Sequence, residues 1–239
     1  MRMCRFAKSV FFTDLDFSLD GIEAIKIPSI QSKQDYSKFI LKDLNRYIQT
    51  DFVLLIQYDG FVVNADAWFD EFLQYDYIGA KWHWYKDGLN VGNGGFSLRS
   101  KKLLEALSGD DVVPDSLEYG EDSFICRTYR IYLETQYGIK YAPESVADKF
   151  SFERSEPYCR TFGFHGLFNM WRFIKSDKLE KFLNLLSPRA LNSIEAQELG
   201  INYQIEGRTK EAEMVYRRIL ECNPENDKVR SLINSALYL

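Results

Sequence analysis

Between residues 36 and 56 the chain changes its hydrophobic period abruptly. Tyr36, Phe39, Ile40, Leu44, Tyr47 and Ile48 recur at intervals of three and four, and after three intervening residues Phe52-Val53-Leu54-Leu55-Ile56 runs unbroken. The first spacing places its members on one face of an amphipathic helix over residues 36–48. The apolar pentad leaves no face for water, so it predicts a central strand covered on both sides. Upstream, residues 10–13 and 22–28 are short, apolar and rich in β-formers, as strands of a partly buried sheet are. Strand, helix, strand in this rhythm predicts an α/β domain with a largely parallel sheet.

The 239 residues leave room for one large domain and a short appendage, and 46% hydrophobic with 27% charged residues is the composition of a soluble globular chain. Thirty Lys and Arg against thirty-five Asp and Glu give a net charge of -5, so no basic excess exists to neutralise a nucleic-acid backbone. Nucleic acid is therefore not an expected partner. The pentad is the longest apolar run and is far too short to cross a bilayer, so no membrane span is expected. Cys4, Cys126, Cys159 and Cys222 form no CxxC and read as reduced thiols of a cytoplasmic protein. Aromatic residues reach 15%, enough to fill a core and still offer flat faces to sugars or bases.

Gln57-Tyr58-Asp59-Gly60 ends the pentad strand. In open α/β sheets ligands bind beyond the carboxyl ends of the strands, which makes Asp59 a candidate functional group. Asp-Gly is also an ordinary turn pair, and both readings stand. A second strand-like stretch, residues 75–80, leads into Trp82-His83-Trp84, then into Val91-Gly92-Asn93-Gly94-Gly95-Phe96-Ser97-Leu98-Arg99-Ser100. Three glycines in four positions permit positive φ and close approach of a ligand, without the spacing of a dinucleotide fingerprint or a P-loop. Ser100 is placed to cap a helix that starts at Lys101. Tyr119-Gly120-Glu121-Asp122 opens another helix, with an apolar face of Ile125, Tyr129, Tyr132 and Leu133. The helix dipole accounts for two acids there, and a general base accounts for them equally. His165, in Phe162-Gly163-Phe164-His165-Gly166, is either structural or, with a strand-end aspartate, a ligand for a divalent transition metal. His83 has no such partner and reads as a loop or acceptor-side residue.

From Ser193 the aromatics thin out. Leu199, Gly200, Tyr203, Ala212, Tyr216 and Pro224 fall at the spacings of one tetratricopeptide repeat. Two helices would join at Glu206-Gly207-Arg208, with Gly200 allowing close packing, Pro224 ending the second helix and residues 227–239 forming a cap. One repeat cannot stand alone as a solenoid, so it is expected to pack on the main domain or on another copy, or to hold a protein partner.

Taken in order, these blocks resemble an uncharacterised family of GT-A-type glycosyltransferase-like domains over about residues 10–169, and the NGGFS block followed by Glu-Asp is similar to the galactosyltransferase group. The resemblance implies a GT-A-like (Rossmann-related) fold in residues 1–186: a mixed, largely parallel sheet flanked by helices, with an all-α, tetratricopeptide-like hairpin in 187–239. Only nine residues precede Val10. The family's opening strand and helix have no counterpart there, so the domain is expected to be N-terminally shortened. The implied reaction is inverting transfer of a sugar from a nucleotide-sugar to a hydroxyl of a glycan, a lipid-linked saccharide or a protein, helped by Mn2+ or Mg2+. Asp59 then stands for the family's metal-binding aspartate, in a Gln57-Tyr58-Asp59 sequence that carries a single carboxylate, and His165 completes the metal site. Gln57, Tyr58, Asn93, Gly94 and Gly95 join Asp59 in donor binding. Asp122 is the base, Glu121 touches the acceptor, and Trp82 and Trp84 offer it stacking faces.

That reading requires Asp59, His165 and the acidic pair to border one cleft. A transferase-like domain that only binds, together with its repeat, is the alternative. A glycoside hydrolase using paired carboxylates accounts for neither the glycine loop nor the strand-end aspartate.

Overall fold

The computed structural model describes residues 4–114 and 117–236. They gather into two compact units, one from Met1–Gln57 and Phe61–Phe164, the other from Tyr58–Gly60 and His165–Leu239. The division expected at 186/187 thus falls earlier. The reason is local: Asn202 Nδ2 donates to the Phe168 carbonyl (2.9 Å) and Arg208 Nη1 to the Trp171 carbonyl (2.9 Å), which ties the turns after His165 to the C-terminal helices.

In the first unit, β1 (Val10–Thr13) and β2 (Glu23–Lys26) pair in parallel. Helix α1 (Lys33–Lys38) is entered through a capping box: Ser32 Oγ accepts from the Asp35 amide, and the Asp35 carboxylate accepts from the Ser32 amide. The helical path then widens into a π-turn over Phe39–Asp43 and tightens over Leu44–Tyr47. Phe39, Ile40, Leu44 and Ile48 still turn inward, as their spacing predicts.

β3 (Phe52–Ile56) is the expected apolar pentad, and each of its faces meets a core cluster, but its first four side chains are only half-buried and Ile56 is exposed. Phe52 and Leu54 pack with Ile78, Phe96, Leu98 and Phe150, while Val53 and Leu55 pack with Phe39, Ile40 and Leu44. Each large side chain fully buried in such clusters contributes about 1.5–3 kcal/mol.

The sheet is not largely parallel, however. After β4 (Phe61–Val62) and β5 (Tyr77–Ile78), β6 (Phe96–Ser100) runs antiparallel to β3, from Phe52 opposite Ser100 to Ile56 opposite Phe96. β5 lies antiparallel on its other edge. The middle strand is therefore β6, buried along its whole length, and β3 is at the edge. An unbroken apolar run reports two-sided burial but not strand direction.

Ser100 Oγ accepts from the Leu103 amide (3.0 Å) and starts α2 (Lys101–Ser108) as expected. α3 (Glu121–Ser123) continues through a π-turn, Phe124–Thr128, into α4 (Arg130–Tyr137). The wider turn shifts the helical phase. Ile125 and Leu133 are buried, but Tyr132 lies outside and its hydroxyl reaches Asp111 Oδ2 at 2.6 Å. α5 (Glu144–Phe150) leads into β7 (Ser151–Phe152), and β8 (Gly163–Phe164) pairs parallel to β7 and antiparallel to β4. Among the described residues the fold is thus mixed α/β with three small sheets.

In the second unit, α6 (Ser176–Leu185) and α7 (Pro188–Leu191) precede a hairpin of α8 (Ile194–Ile205) and α9 (Thr209–Cys222), followed by α10 (Asp227–Ala236). Gly207, at φ +71°, makes the expected link. At Gly200 a Cβ would lie 2.3 Å from the buried Tyr216 ring, so the close approach expected at this glycine is present. Among the described residues no helix is long and apolar enough to cross a membrane.

Candidate functional site

The glycine loop is built against the protein's own atoms. A Cβ on Gly79 would meet the Gly92 and Asn93 carbonyls at 2.0 and 2.6 Å, and one on Gly92 would meet the Trp82 indole at 2.2 Å. Asn93 adopts φ +63°, its Oδ1 accepts from the Phe96 amide (3.3 Å), and its carbonyl accepts from the Tyr77 hydroxyl (3.1 Å). Gln57 meets this loop through its backbone, its amide donating to the Gly95 carbonyl at 2.8 Å.

At Gly94 the crowding is electrostatic. A Cβ there would sit 2.1 Å from Glu121 Oε1. Glu121 opens α3 after Gly120, whose φ of +96° turns the chain into the helix, and is itself buried. Its Oε1 accepts from Arg99 Nη2 at 3.1 Å, while Arg99 Nε donates to Ser97 Oγ at 3.0 Å. Arg99 comes from the middle strand, is fully buried, and lies with its Cζ 5.2 Å from the Tyr77 ring centroid.

Asp122 sits differently. Its Oδ2 accepts from the Gly94 amide (3.2 Å) and its Oδ1 from the Ser123 amide (2.7 Å). Burial, then repulsion from Glu121, pushes its carboxyl up to about 6, against the pull of these amides and of Arg99. Burial also raises the Tyr36, Tyr77 and Cys126 groups that surround the pair.

Arg99 has no place among the residues expected at the site, yet it carries a signal in the sequence: it is the one cation inside the otherwise uncharged strand Phe96–Ser100. A buried charge in a central strand requires a partner.

In the second unit, Asp59 and His165 come together. The Gly166 amide donates to the Asp59 carbonyl (3.0 Å), the Leu167 amide to Asp59 Oδ2 (3.2 Å), and His165 Nε2 lies 3.1 Å from Asp59 Oδ1. Burial works against the charged carboxylate, but the His165 contact and the backbone amides outweigh it and hold Asp59 below the usual carboxylate range. Asp59 is therefore more than a turn residue.

Its 3.1 Å separation from His165 Nε2 fits two adjacent ligands of an octahedral cation, which at bonds of about 2.1 Å stand about 3 Å apart. The chain supplies these two donors: among the described residues no group of three or more His, Cys, Asp or Glu could hold a metal.

The expected constellation thus appears as two groups: Gly94, Glu121 and Asp122 in the first unit, Asp59 and His165 in the second. Tyr58 is exposed. Trp82 requires a correction: it is 5% exposed, with its ring filling the space over Gly92, and has no face for an acceptor. Trp84 remains 47% exposed. His83 lines a cavity of about 410 Å3 together with Lys81, Tyr85, Lys86, Asn90 and Glu144.

The model of a family described as a protein of unknown function (DUF5672) matches residues 21–165, more than half of the chain. The chain belongs to this family. The DUF5672 match takes in the glycine loop, Arg99, the acidic pair and Asp59, and ends on His165; the C-terminal hairpin lies beyond it. No curated protein and no solved structure matches the chain.

Proposed function

We propose that this DUF5672 protein is a glycosyltransferase that moves a sugar from a nucleotide-sugar donor to a hydroxyl acceptor: a glycan, a lipid-linked saccharide or a protein. The observation that supports it most is Asp122, a carboxyl raised to about 6 beside the glycine loop. A base with that value is largely ionised at neutral pH, yet takes a proton more readily than an ordinary carboxylate. In the reaction, the acceptor hydroxyl gives its proton to Asp122 as its oxygen bonds to the anomeric carbon. The bond from that carbon to the diphosphate breaks, with its electron pair leaving on the phosphate oxygen. A single displacement of this kind inverts the anomeric centre.

Asp59 and His165 would hold Mn2+ or Mg2+, which when bound neutralises charge on the departing diphosphate. The α8–α9 hairpin is read as a tetratricopeptide-like element for a protein partner or a second copy, and the four free cysteines support a cytoplasmic setting.

A second reading, a binding module without transfer, is favoured by one observation. Gly92 and Gly94 have their open space taken by Trp82 and Glu121 rather than left for a donor.

The two readings separate in one set of experiments. UDP- and GDP-sugars with Mn2+ should raise the melting temperature, and Asp122→Asn should abolish transfer in a protein that keeps its circular dichroism. Transfer at the wild-type rate by Asp122→Asn removes the base. No calorimetric heat with any nucleotide-sugar selects the binding module.

A further inference from the structure

We propose that Arg99 is a positioning residue that divides the acidic pair into two roles: it pins Glu121 against the glycine loop and leaves Asp122 as the carboxylate free to exchange a proton with a bound hydroxyl. The proposal rests on the reading of Asp122 as the base. Its support is geometric. Arg99 is fully buried in the middle strand, and it directs Nη2 to Glu121 and Nε to Ser97. Glu121 is held so close to Gly94 that no side chain fits at that position. Gly94 in turn gives its amide proton to Asp122. One glycine thus reads both acids, its α-carbon against Glu121 and its N–H on Asp122.

The groups facing Asp122 come from every neighbouring element. They are Glu121 on its own helix, Arg99 on β6, Tyr36 and Lys33 on α1, Tyr77 on β5 and Cys126 on the turn after α3. Burial raises Tyr36, Tyr77 and Cys126, which keeps them neutral, so the cations beside the pair are the exposed Lys33 and the fully buried Arg99, and Arg99 is the one held inside the fold. Its near guanidinium nitrogen is committed to Glu121, and it is the weakest of the forces on Asp122. A guanidinium has the fixed fork needed to hold Glu121 and Ser97 together; a neutral side chain at position 99 would leave two carboxylates competing for one proton.

The test is a carboxyl-carbon and amide NMR titration of the full chain. In the wild type, the Gly94 amide shift should follow the Asp122 carboxyl with one midpoint near 6. A Gly94 amide that ignores that titration, or an Asp122 that titrates in the ordinary carboxylate range, overturns the proposal without any variant. Glu121→Gln should then lower the Asp122 midpoint by about one pH unit, and Arg99→Met should raise it by less, Arg99 being the weakest of the forces on it. Arg99→Lys should bring it back toward the wild-type value. A merely structural Arg99 would move the midpoint the same way in Glu121→Gln and Arg99→Met, or not at all. If Arg99→Met fails to fold, Arg99→Lys and Glu121→Gln carry the test: an Asp122 midpoint that does not fall in Glu121→Gln overturns the proposal. These readouts need no turnover. Opposite shifts together with unimpaired transfer by Asp122→Asn would remove the transferase base and leave the positioning role standing.

Discussion

Replacing Gly94 by alanine adds one methyl group, and what that methyl meets sets the cost. Gly94 has no positive φ, so alanine can adopt its backbone, and the stiffer unfolded chain would stabilise the protein by about 0.4–1 kcal/mol. Against this, the new Cβ would stand 2.1 Å from Glu121 Oε1 and 3.1 Å from Arg99 Nη2. A carboxylate at the end of a free side chain would swing aside cheaply. Here Glu121 is buried and fastened to a fully buried arginine at 3.1 Å, so moving it breaks a buried ion pair. Breaking such a pair by disturbing one partner costs about 3–5 kcal/mol. Subtracting the backbone gain leaves a net loss of about 2–4.6 kcal/mol.

Urea denaturation measures this, read by tryptophan fluorescence in a Trp171→Phe background, where Trp68, Trp82 and Trp84 all report on the first unit. The same Gly94→Ala change in a Glu121→Ala background should cost less than about 0.5 kcal/mol, a coupling of about 1.5 kcal/mol or more between the two sites. Equal costs in both backgrounds would refute the claim that Glu121 is the reason for this glycine.

Two further predictions follow from the same kind of accounting. Asp122 has a folded-state value near 6, above its unfolded value of about 3.9, so the folded protein holds the extra proton and loses stability as pH rises between the two. Asp122→Asn should therefore be more stable than wild type at about pH 7 and closer to it at about pH 4, by urea midpoints at each pH. Gly200→Ala sets helix propensity, which favours alanine by about 1 kcal/mol, against a ring that must retreat more than an ångström inside a full core. We expect a net loss of about 1 kcal/mol, and a reversal of sign in a Tyr216→Leu background, by circular dichroism in urea.

The sequence by itself determined where elements begin and what they bury. The pentad Phe52–Ile56, the Ser100 cap, the inward face of residues 36–48 and the Gly200–Gly207 hairpin were legible because each depends on neighbours within a few turns of the chain. Local spacing also put Asp59 and His165 on the same short list, and tertiary structure joined them.

What only the tertiary structure decided is direction and partnership. Whether β3 pairs with a parallel or an antiparallel neighbour depends on where residues 96–100 return after a forty-residue excursion, and no period in the chain records that. Trp82 and Trp84 are two residues apart and look alike in sequence, yet one is packed over Gly92 and the other faces solvent. Glu121 and Asp122 are adjacent acids that local spacing leaves equivalent, and only the family resemblance gives them different roles. A single arginine from a distant strand makes them different, because the energy of a buried charge depends on the atoms within a few ångströms of it and not on its place along the chain.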